Sequence, residues 1–302
     1  NASTSDVYIY NSSIKLNNDQ NGHYFVFDVN TTGDIRIIDS EINATNFETS
    51  KIELEGSNIW ITNSTLWSAT KYDGDGCYHQ CNSHDLYSDL NFYSDKLEVA
   101  DSLLHSSTYG DNLYRGDDRY WFKSYNNIDI LVTSIEIVDS SLTTYSYLDY
   151  PAWGSNSRGG WSDIQVKTSE IEIENSTIMI EMGNPEFGGS NLYPDFDIVI
   201  EGDNASFDVT DSFVGVEEWT DSYGEEHIYV KETNYTLKLS DSEFRTHIYA
   251  CSHLANLGCN STYYNSDVNI NNLTLSSGNF YVGQTSDVSI IDSTFKHDIG
   301  FN

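Results

Sequence analysis

One eight-residue pattern of apolar and polar positions recurs ten times along the chain. The pattern is apolar, any, apolar, any, Asp or Asn, usually Ser, any, apolar, as in residues 135–142. Its copies begin at Val7, Ile35, Ile59, Leu97, Ile135, Ile171, Phe207, Leu237, Val268 and Val288, and neighbouring copies start 20 to 38 residues apart. A recurring unit of this length predicts a solenoid or another repeat array.

Each copy predicts two short strands on either side of a corner. Apolar residues alternate with polar ones, and Ile, Val, Leu and Phe fill the apolar positions, as in half-buried strands. The Asp/Asn–Ser pair predicts the corner, because both side chains bond nearby backbone groups and permit a sharp turn. A third strand is predicted before several copies, at residues 24–29, 51–55, 128–132, 163–167, 196–200 and 227–230.

The corner position holds either Asn or Asp, and Asp never occupies three successive copies. It holds Asn11, Asp39, Asn63, Asp101, Asp139, Asn175, Asp211, Asp241, Asn272 and Asp292. Stacked strands bring equivalent side chains about 4.8 Å apart. Carboxylates at that spacing repel one another, so the interleaved Asn residues are expected to lower the repulsion.

These repeats resemble those of the right-handed parallel β-helix superfamily, which includes pectate lyases, polygalacturonases and many surface adhesins. The resemblance implies an all-β fold, a single-domain right-handed parallel β-helix of about ten coils over residues 1–302. An antiparallel sandwich is the alternative, since it also has many short alternating strands, but it does not predict one signature repeated throughout. The resemblance identifies an architecture, which does not fix a function.

Long loop inserts are predicted to leave the repeats on one side of the solenoid, because each follows the strand that comes after the corner. They cover about residues 66–90, 105–126, 143–162, 181–195, 215–226 and 245–266. The inserts are rich in aromatic residues, including Tyr114, Trp121, Trp153, Trp161 and Trp219. Three interpretations stay open: a protein contact, a sugar-binding platform, or aromatics packed against the solenoid wall.

The net charge of the chain limits the classes of molecule that it can bind. The formal net charge is −33, from 47 acidic and 14 basic residues. No basic stripe is present to neutralise phosphates, so nucleic acid and anionic membrane surfaces are excluded as partners. No apolar run approaches the length needed to cross a bilayer, so direct membrane insertion is not expected. The chain begins at Asn1 without Met, as a processed product would.

Four cysteines form two local pairs, Cys77 with Cys81 and Cys251 with Cys259. Two local disulfides are the favoured interpretation and fit an extracellular location. A zinc site is the alternative, but neither pair has CxxC spacing. Asp73 and Asp75 alternate with Gly near the first pair and offer oxygen ligands to Ca²⁺, although a plain acidic turn explains the same residues. No other cofactor is expected.

Asn-x-Ser/Thr sequences predict N-glycosylation, which also places the chain outside the cell. Beyond the one at Asn1, the predicted glycan acceptors are Asn11, Asn30, Asn43, Asn63, Asn175, Asn204, Asn234, Asn260 and Asn272. Four of them occupy corner positions, so glycans are expected there only if the corners face outward.

Catalytic motifs are weak. Residues 116–118, Gly-Asp-Asp, are similar to the Asp-Asp element of polygalacturonase-like enzymes, but the Gly-His-Gly and Arg-x-Lys elements that accompany it there are absent. With 47 acidic residues, pairs of carboxylates suited to glycoside hydrolysis arise by chance. The expectation is therefore a protein without catalytic residues.

The prediction of function rests on the two ends of the repeat array. No helical periodicity precedes Val7 or follows Phe295, so both ends are expected to be uncapped repeats, whose strand edges pair readily with other chains. In composition the chain is similar to acidic, Asn/Ser/Thr/Tyr-rich archaeal surface proteins. We expect a secreted, glycosylated protein that stacks head to tail with copies of itself into a filament, sheath or surface layer. The alternative is a carbohydrate-binding or polysaccharide-cleaving β-helix that uses the aromatic, acidic insert face.

Overall fold

The computed structural model describes residues 5–17, 24–46, 48–73, 85–111, 123–148, 159–183, 191–201, 205–218, 225–230, 235–250, 254–255, 258–259, 267–277, 280–282, 287–296 and 299–301. Over these residues the chain is all-β and contains no helix. The strands, in chain order, are β1 (Val7–Tyr10), β2 (Ser13–Asn17), β3 (Phe25–Asn30), β4 (Ile35–Ile38), β5 (Glu41–Asn46), β6 (Thr49–Glu55), β7 (Asn58–Thr62), β8 (Thr65–Asp73), β9 (Asp85–Ala100), β10 (Leu103–Asp111), β11 (Lys123–Val138), β12 (Ser141–Leu148), β13 (Gly159–Thr168), β14 (Glu170–Glu174), β15 (Thr177–Gly183), β16 (Asn191–Ile200), β17 (Ala205–Thr210), β18 (Phe213–Glu218), β19 (Glu225–Val230), β20 (Tyr235–Ser240), β21 (Glu243–Arg245), β22 (His247–Ala250), β23 (Leu254–Ala255), β24 (Gly258–Cys259), β25 (Asp267–Asn271), β26 (Thr274–Ser277), β27 (Phe280–Val282), β28 (Asp287–Ile291), β29 (Thr294–Phe295) and β30 (Ile299–Phe301).

Equivalent strands of successive repeats pair in parallel. The strands that follow the corners form a ten-stranded sheet in the order β2-β5-β8-β10-β12-β15-β18-β21-β26-β29. The strands before the corners and the third strands of the repeats belong to an 18-stranded sheet. The long strands β9 and β11 join these two series, because each runs from a third strand into the next pre-corner strand. The arrangement is consistent with a β-solenoid and compatible with a parallel β-helix-like fold.

Register is set by the repeated pattern. Val7 lies opposite Ile35, and Ile35 lies opposite Ile59, so each copy of the pattern pairs with the next without a shift. One irregularity occurs late in the ten-stranded sheet, where Arg245 pairs with Ser277 across a bulge. The one antiparallel pair among the described strands is β23 with β24.

One continuous apolar core is built by the alternating positions. The inward-facing residues of β4 and β5, Ile35, Ile37, Ile42 and Ala44, are fully buried and belong to a cluster that extends to Phe280. All six predicted third strands are confirmed within β3, β6, β11, β13, β16 and β19. Apolar burial stabilises a fold by about 25 cal/mol per Å² of apolar area, so this core is the main source of stability.

Strands also extend into the predicted inserts. Strand β8 continues to Asp73 and β9 begins at Asp85, so part of the predicted insert 66–90 is sheet. Polar residues fill the inward positions there: Ser68, Thr70 and Ser88 are each no more than 1% exposed. Ser88 Oγ donates to Ser68 Oγ over 3.0 Å, which gives both serine hydroxyls a partner inside the core.

Candidate functional site

The ten corner residues share one backbone conformation. Their φ angles lie between 46° and 52°. This left-handed region is several-fold enriched in Asn and Asp among non-glycine residues, which explains why only these two types occupy the position. All ten corners are exposed, so the corner residues form an outward-facing row. The predicted corners are confirmed in every copy.

Hydrogen bonds between side chains connect neighbouring corners. Asn63 Nδ2 donates to Asp39 Oδ1 over 2.7 Å, and Asn272 Nδ2 donates to Asp241 Oδ1 over 2.7 Å. Asn175 makes the equivalent hydrogen bond to Asp139. In all three the Asn is the donor and the Asp lies one repeat earlier in the chain. We call this row of corner side chains the corner ladder.

A buried row of serines lies beside the corner ladder. The Ser64 N–H donates to Ser102 Oγ over 3.0 Å, and the Ser64 hydroxyl donates to the Thr62 carbonyl over 2.7 Å. The same N–H to Oγ bond links Ser12, Ser40, Ser64, Ser102, Ser140, Ser176, Ser212 and Ser242 in succession. Leu273 takes the serine position in the ninth repeat, and its N–H donates to Ser293 Oγ. We call this row the serine ladder; it holds successive corners in register.

The outward orientation of the corners bears on the predicted glycans. Asn11, Asn63, Asn175 and Asn272 are exposed, as the glycan prediction requires. An N-linked amide keeps one N–H, so a glycan and a bond to the preceding Asp are compatible. Asn30 is also exposed and Asn43 is half-buried. Asn204, Asn234 and Asn260 lie outside the described residues.

Carboxylates concentrate on the outer face of the third strands. Asp89, Asn127, Asp163 and Asp195 occupy successive positions of one register column, and Asp129 and Asp197 lie two residues further along their strands. Burial, followed by the charges of Asp195 and Asp197, raises the pKa of Asp163 to about 7. Burial also raises the pKa of Asp89 to about 6, against the opposing charge of Lys51. Sequence reasoning missed this cluster, although alternating Asp residues in the third strands were its signal.

A second column of acidic residues lies on the outer face of the pre-corner strands. Glu98, Glu136, Glu172 and Asp208 stand opposite one another in consecutive strands. Lys96 Nζ lies 3.1 Å from Glu98 Oε2 and 3.3 Å from Glu136 Oε2, and at the other end of the column Lys238 Nζ lies 2.7 Å from Asp208 Oδ2. Burial and the adjacent carboxylates raise the pKa of Glu172. This flank therefore presents a dense row of negative charge.

Aromatic rings stack along the third strands. Tyr87 and Tyr125 stack with ring centroids 4.8 Å apart, and Tyr125 stacks on Trp161 at 5.1 Å. A second pair, Tyr109 with Tyr147, lies in β10 and β12, which follow the corners, and stacks at 4.8 Å with the rings 3° from parallel. Such pairs each add about 0.5–1.5 kcal/mol beyond the burial of their area. Each of these rings therefore has at least one face covered by another ring.

The terminal repeats leave strand edges unpaired among the described residues. Strands β1, β2 and β3 have neighbours only on the side of the second repeat, and β28, β29 and β30 only on the side of the ninth. Tyr8, Tyr10 and Tyr24 at the first edge are 60–73% exposed. Ile291 and Ile299 at the last edge are 53% and 41% exposed. These edges are the largest apolar exposures that the described chain offers.

Several predicted site residues fall outside the described part of the chain. Tyr114, Trp121, Trp153, Trp219 and Asp75 lie there, as do the side chains of Asp73 and of the four cysteines, Cys77, Cys81, Cys251 and Cys259. Among the described residues, no group of three or more His, Cys, Asp or Glu side chains has the arrangement of a metal site. The described part of the chain also contains no helix long and apolar enough to cross a membrane.

Comparison with known proteins does not assign the chain to a family. No protein-family model, curated protein or solved structure significantly matches the chain.

Proposed function

We propose that this chain is a secreted, N-glycosylated structural protein, folded as a right-handed parallel β-helix of about ten coils, that stacks end to end into an extracellular filament, sheath or surface layer. The observation that supports it is that, among the described residues, core positions of the first and last repeats are only partly buried. In this proposal the chain acts through assembly with copies of itself and needs no catalytic residues or cofactor, apart from calcium ions that bridge its acidic surface.

The last repeat exposes residues that its neighbour buries. Val288 and Ile290 are 43% and 37% exposed, whereas Val268 and Ile270, their register partners one repeat earlier, are each 1% exposed. At the other end, Val7 and Ile9 are half-buried, whereas their partners Ile35 and Ile37 are fully buried. A further repeat stacked on either end would complete the burial. Monomeric proteins cover such edges, because open strands pair with other chains.

Charge directs the contact to the ends. The flank carries the acidic column Glu98, Glu136, Glu172 and Asp208, and the whole chain has a net charge of −33. Side-by-side contact of two such flanks is repulsive, while the edge residues Val7, Ile9, Val288 and Ile290 are uncharged. End-to-end stacking is therefore the favoured geometry. The overall repulsion between subunits predicts that added salt promotes assembly.

Electron microscopy of purified native protein tests the proposal. Ten repeats at the inter-strand spacing give an expected axial period of about 48 Å. We expect continuous fibres or sheets with this period, more abundant in about 1 M NaCl, where charges are screened within about 3 Å. A monomer that stays stable in size-exclusion chromatography at high protein and salt concentrations would overturn the proposal.

Carbohydrate binding is the alternative function. It draws support from the aromatic and acidic residues that share the third strands, such as Tyr125 with Asp129. Sugar rings pack on open aromatic faces, whereas Tyr87, Tyr125 and Trp161 stack face to face. A glycan array probed with soluble protein separates the two functions, since retention of any polysaccharide would favour the alternative.

A further inference from the structure

The corner ladder has a direction. In each of its three hydrogen bonds an Asn amide donates to the Asp of the preceding repeat, as Asn63 does to Asp39. The first corner of the ladder is Asn11 and the last is Asp292. Among the described residues, neither the Asn11 amide nor the Asp292 carboxylate makes a hydrogen bond. The ladder thus begins with an unused donor and ends with an unused acceptor.

The serine ladder also has a direction and open ends. Each serine N–H from Ser12 to Ser212 donates to the Oγ of the following repeat, and the first such bond runs from Ser12 to Ser40 over 3.1 Å. Within the described chain, Ser293 has no following repeat to receive its N–H, and Ser12 Oγ accepts no N–H from a preceding one. The backbone repeats the pattern, because the Asn272 N–H donates to the Ile291 carbonyl over 2.9 Å. The Asp292 N–H is the next donor in that series.

We propose that a second copy of this chain places its first repeat on the last repeat of the first copy in the register of the internal repeats. Asn11 of one copy then donates its amide to the carboxylate of Asp292 of the other, and the Ser293 N–H donates to Ser12 Oγ. The register follows from the pattern shared by β1 and β28, which places Val7 opposite Val288 and Ile9 opposite Ile290. This inference rests on the proposed end-to-end assembly and specifies its contact.

The register brings together one apolar pair and two like-charged pairs around this contact. Tyr10 and Ile291, 66% and 53% exposed, become neighbours on the outer face and cover each other. Lys296 comes to lie beside Lys15 of the second copy, and Asp287 becomes the register partner of Asp6. Glu41 Oε1 lies 3.1 Å from Lys15 Nζ and offsets part of the repulsion between the lysines. The like charges add to the expected dependence of assembly on salt.

Exchange of the two ladder residues tests the hydrogen bond. Asn11→Asp places a carboxylate opposite Asp292 and is expected to raise the critical concentration for polymerisation about five- to thirtyfold, as measured by light scattering and sedimentation. Addition of Asp292→Asn supplies a new amide donor at position 292, and Thr294→Ala in the same variant prevents a new glycan acceptor sequence there. This variant is expected to return the critical concentration to within about threefold of wild type. An Asn11→Asp variant that polymerises like wild type would overturn the inference and leave the proposed assembly standing.

Two controls match this design. Asn63→Asp makes the same change inside the ladder, away from the ends, and is expected to leave the critical concentration within about twofold of wild type. Ser13→Ala removes the predicted glycan at Asn11 but keeps the amide, so it separates glycan loss from donor loss. If either control raises the critical concentration as much as Asn11→Asp does, the assignment of the Asn11–Asp292 hydrogen bond to the contact is overturned.

Cross-linking tests the register directly. Tyr10→Cys combined with Ile291→Cys places two thiols on adjacent strands about 4.8 Å apart at the contact, within disulfide range. Oxidation of the polymer is expected to give a ladder of covalent oligomers on denaturing gels. Tyr8→Cys with Ile291→Cys is the control, since its thiols lie diagonally at about 7–8 Å. Equal yields from both pairs, or no oligomers beyond those of oxidised wild type, would overturn the register; failure of wild type to polymerise would overturn the assembly itself.

Discussion

The side-chain amide of Asn63 donates a 2.7 Å hydrogen bond to the carboxylate of Asp39, the corner residue one repeat earlier. Both residues are exposed and both have a φ angle near 50°. The bond therefore joins two positions that the backbone fixes independently. It shows that alternation of Asn and Asp does more than dilute charge, because the amide also supplies a donor that a second carboxylate lacks.

Replacement of Asn63 by Asp should destabilise the protein. The change removes one hydrogen bond and places four carboxylates in successive corners, at a cost of about 0.5–2 kcal/mol of unfolding free energy. Urea denaturation of dispersed protein in low salt measures this loss. Thr65→Ala removes the same predicted glycan acceptor sequence while it keeps Asn63, so an equal loss with that control would trace the effect to the glycan. The loss should shrink in high salt, which screens exposed charges.

Ser102→Ala tests the serine ladder. The hydroxyl accepts the Ser64 N–H over 3.0 Å and donates to the Ala100 carbonyl over 2.6 Å, and its loss leaves a buried N–H unsatisfied. We expect the unfolding free energy to fall by about 1–3 kcal/mol. Ser13→Ala is the control: the Ser13 hydroxyl lies at the surface and makes only a 3.3 Å bond to Glu41, so the expected change is under about 0.5 kcal/mol. Equal effects of the two substitutions would contradict a structural role for the ladder.

The raised pKa of Asp163 predicts that the stability of the protein depends on pH. The pKa of this residue in the folded state, about 7, is higher than the ordinary 3.8 because of burial and the nearby Asp195 and Asp197. Protonated Asp163 therefore contributes its full stabilisation below about pH 4. The protein loses this stabilisation as the pH rises through about 7. Asp163→Asn should therefore match wild type near pH 4 and exceed it by about 1–4 kcal/mol at pH 8.

Denaturation series at several pH values check this difference. Asp28→Asn is the control, because Asp28 is an exposed carboxylate on the outer face of another third strand. Between pH 4 and pH 8, Asp163→Asn should gain more stability relative to wild type than this control does. An equal gain for the two variants would show that Asp163 ionises normally.

The stacking of Tyr125 on its neighbours is expected to stabilise the folded protein. Tyr125 lies between Tyr87 and Trp161 and contacts both rings, so Tyr125→Leu should lower the unfolding free energy by about 1–3 kcal/mol. Tyr24→Leu is the matched control, since Tyr24 is 73% exposed. Thermal unfolding followed by circular dichroism compares the two variants. A smaller loss for Tyr125→Leu than for the control would contradict the stacking contribution.

The corner at Asn175 offers a test of glycosylation. Its exposure and the Thr177 that completes its acceptor sequence predict an N-linked glycan on native protein. Peptide mass spectrometry should show a glycan mass on Asn175 that Thr177→Ala abolishes. Asp139 fills the preceding corner and has no amide to carry an N-linked glycan, so the peptide that contains it serves as an unmodified reference. An unmodified Asn175 in native protein would contradict the prediction.

Local rules explain what could be predicted from the sequence. The sequence predicts the corners because Asn and Asp bond nearby backbone groups and permit a sharp turn, and it predicts the core positions of β4 because Ile35 and Ile37 alternate with other residues at a spacing of two. The sequence predicts a loop insert at the end of β8 and the start of β9, whereas the structure has strands there, with Ser68, Thr70 and Ser88 at inward positions. Small hydroxyl residues inside a core leave no apolar pattern to recognise.

The sequence by itself determined the repeat, its corners and the strands around them, since each depends on the conformational preferences of a few consecutive residues. Only the tertiary structure decided which residues of different repeats face one another. The segments between repeats differ in length, so the stack of Tyr125 on Trp161, the cluster around Asp163 and the direction of the Asn63–Asp39 bond depend on register between strands far apart in the chain. Register is fixed by the sum of core packing over many strands, which no single repeat contains.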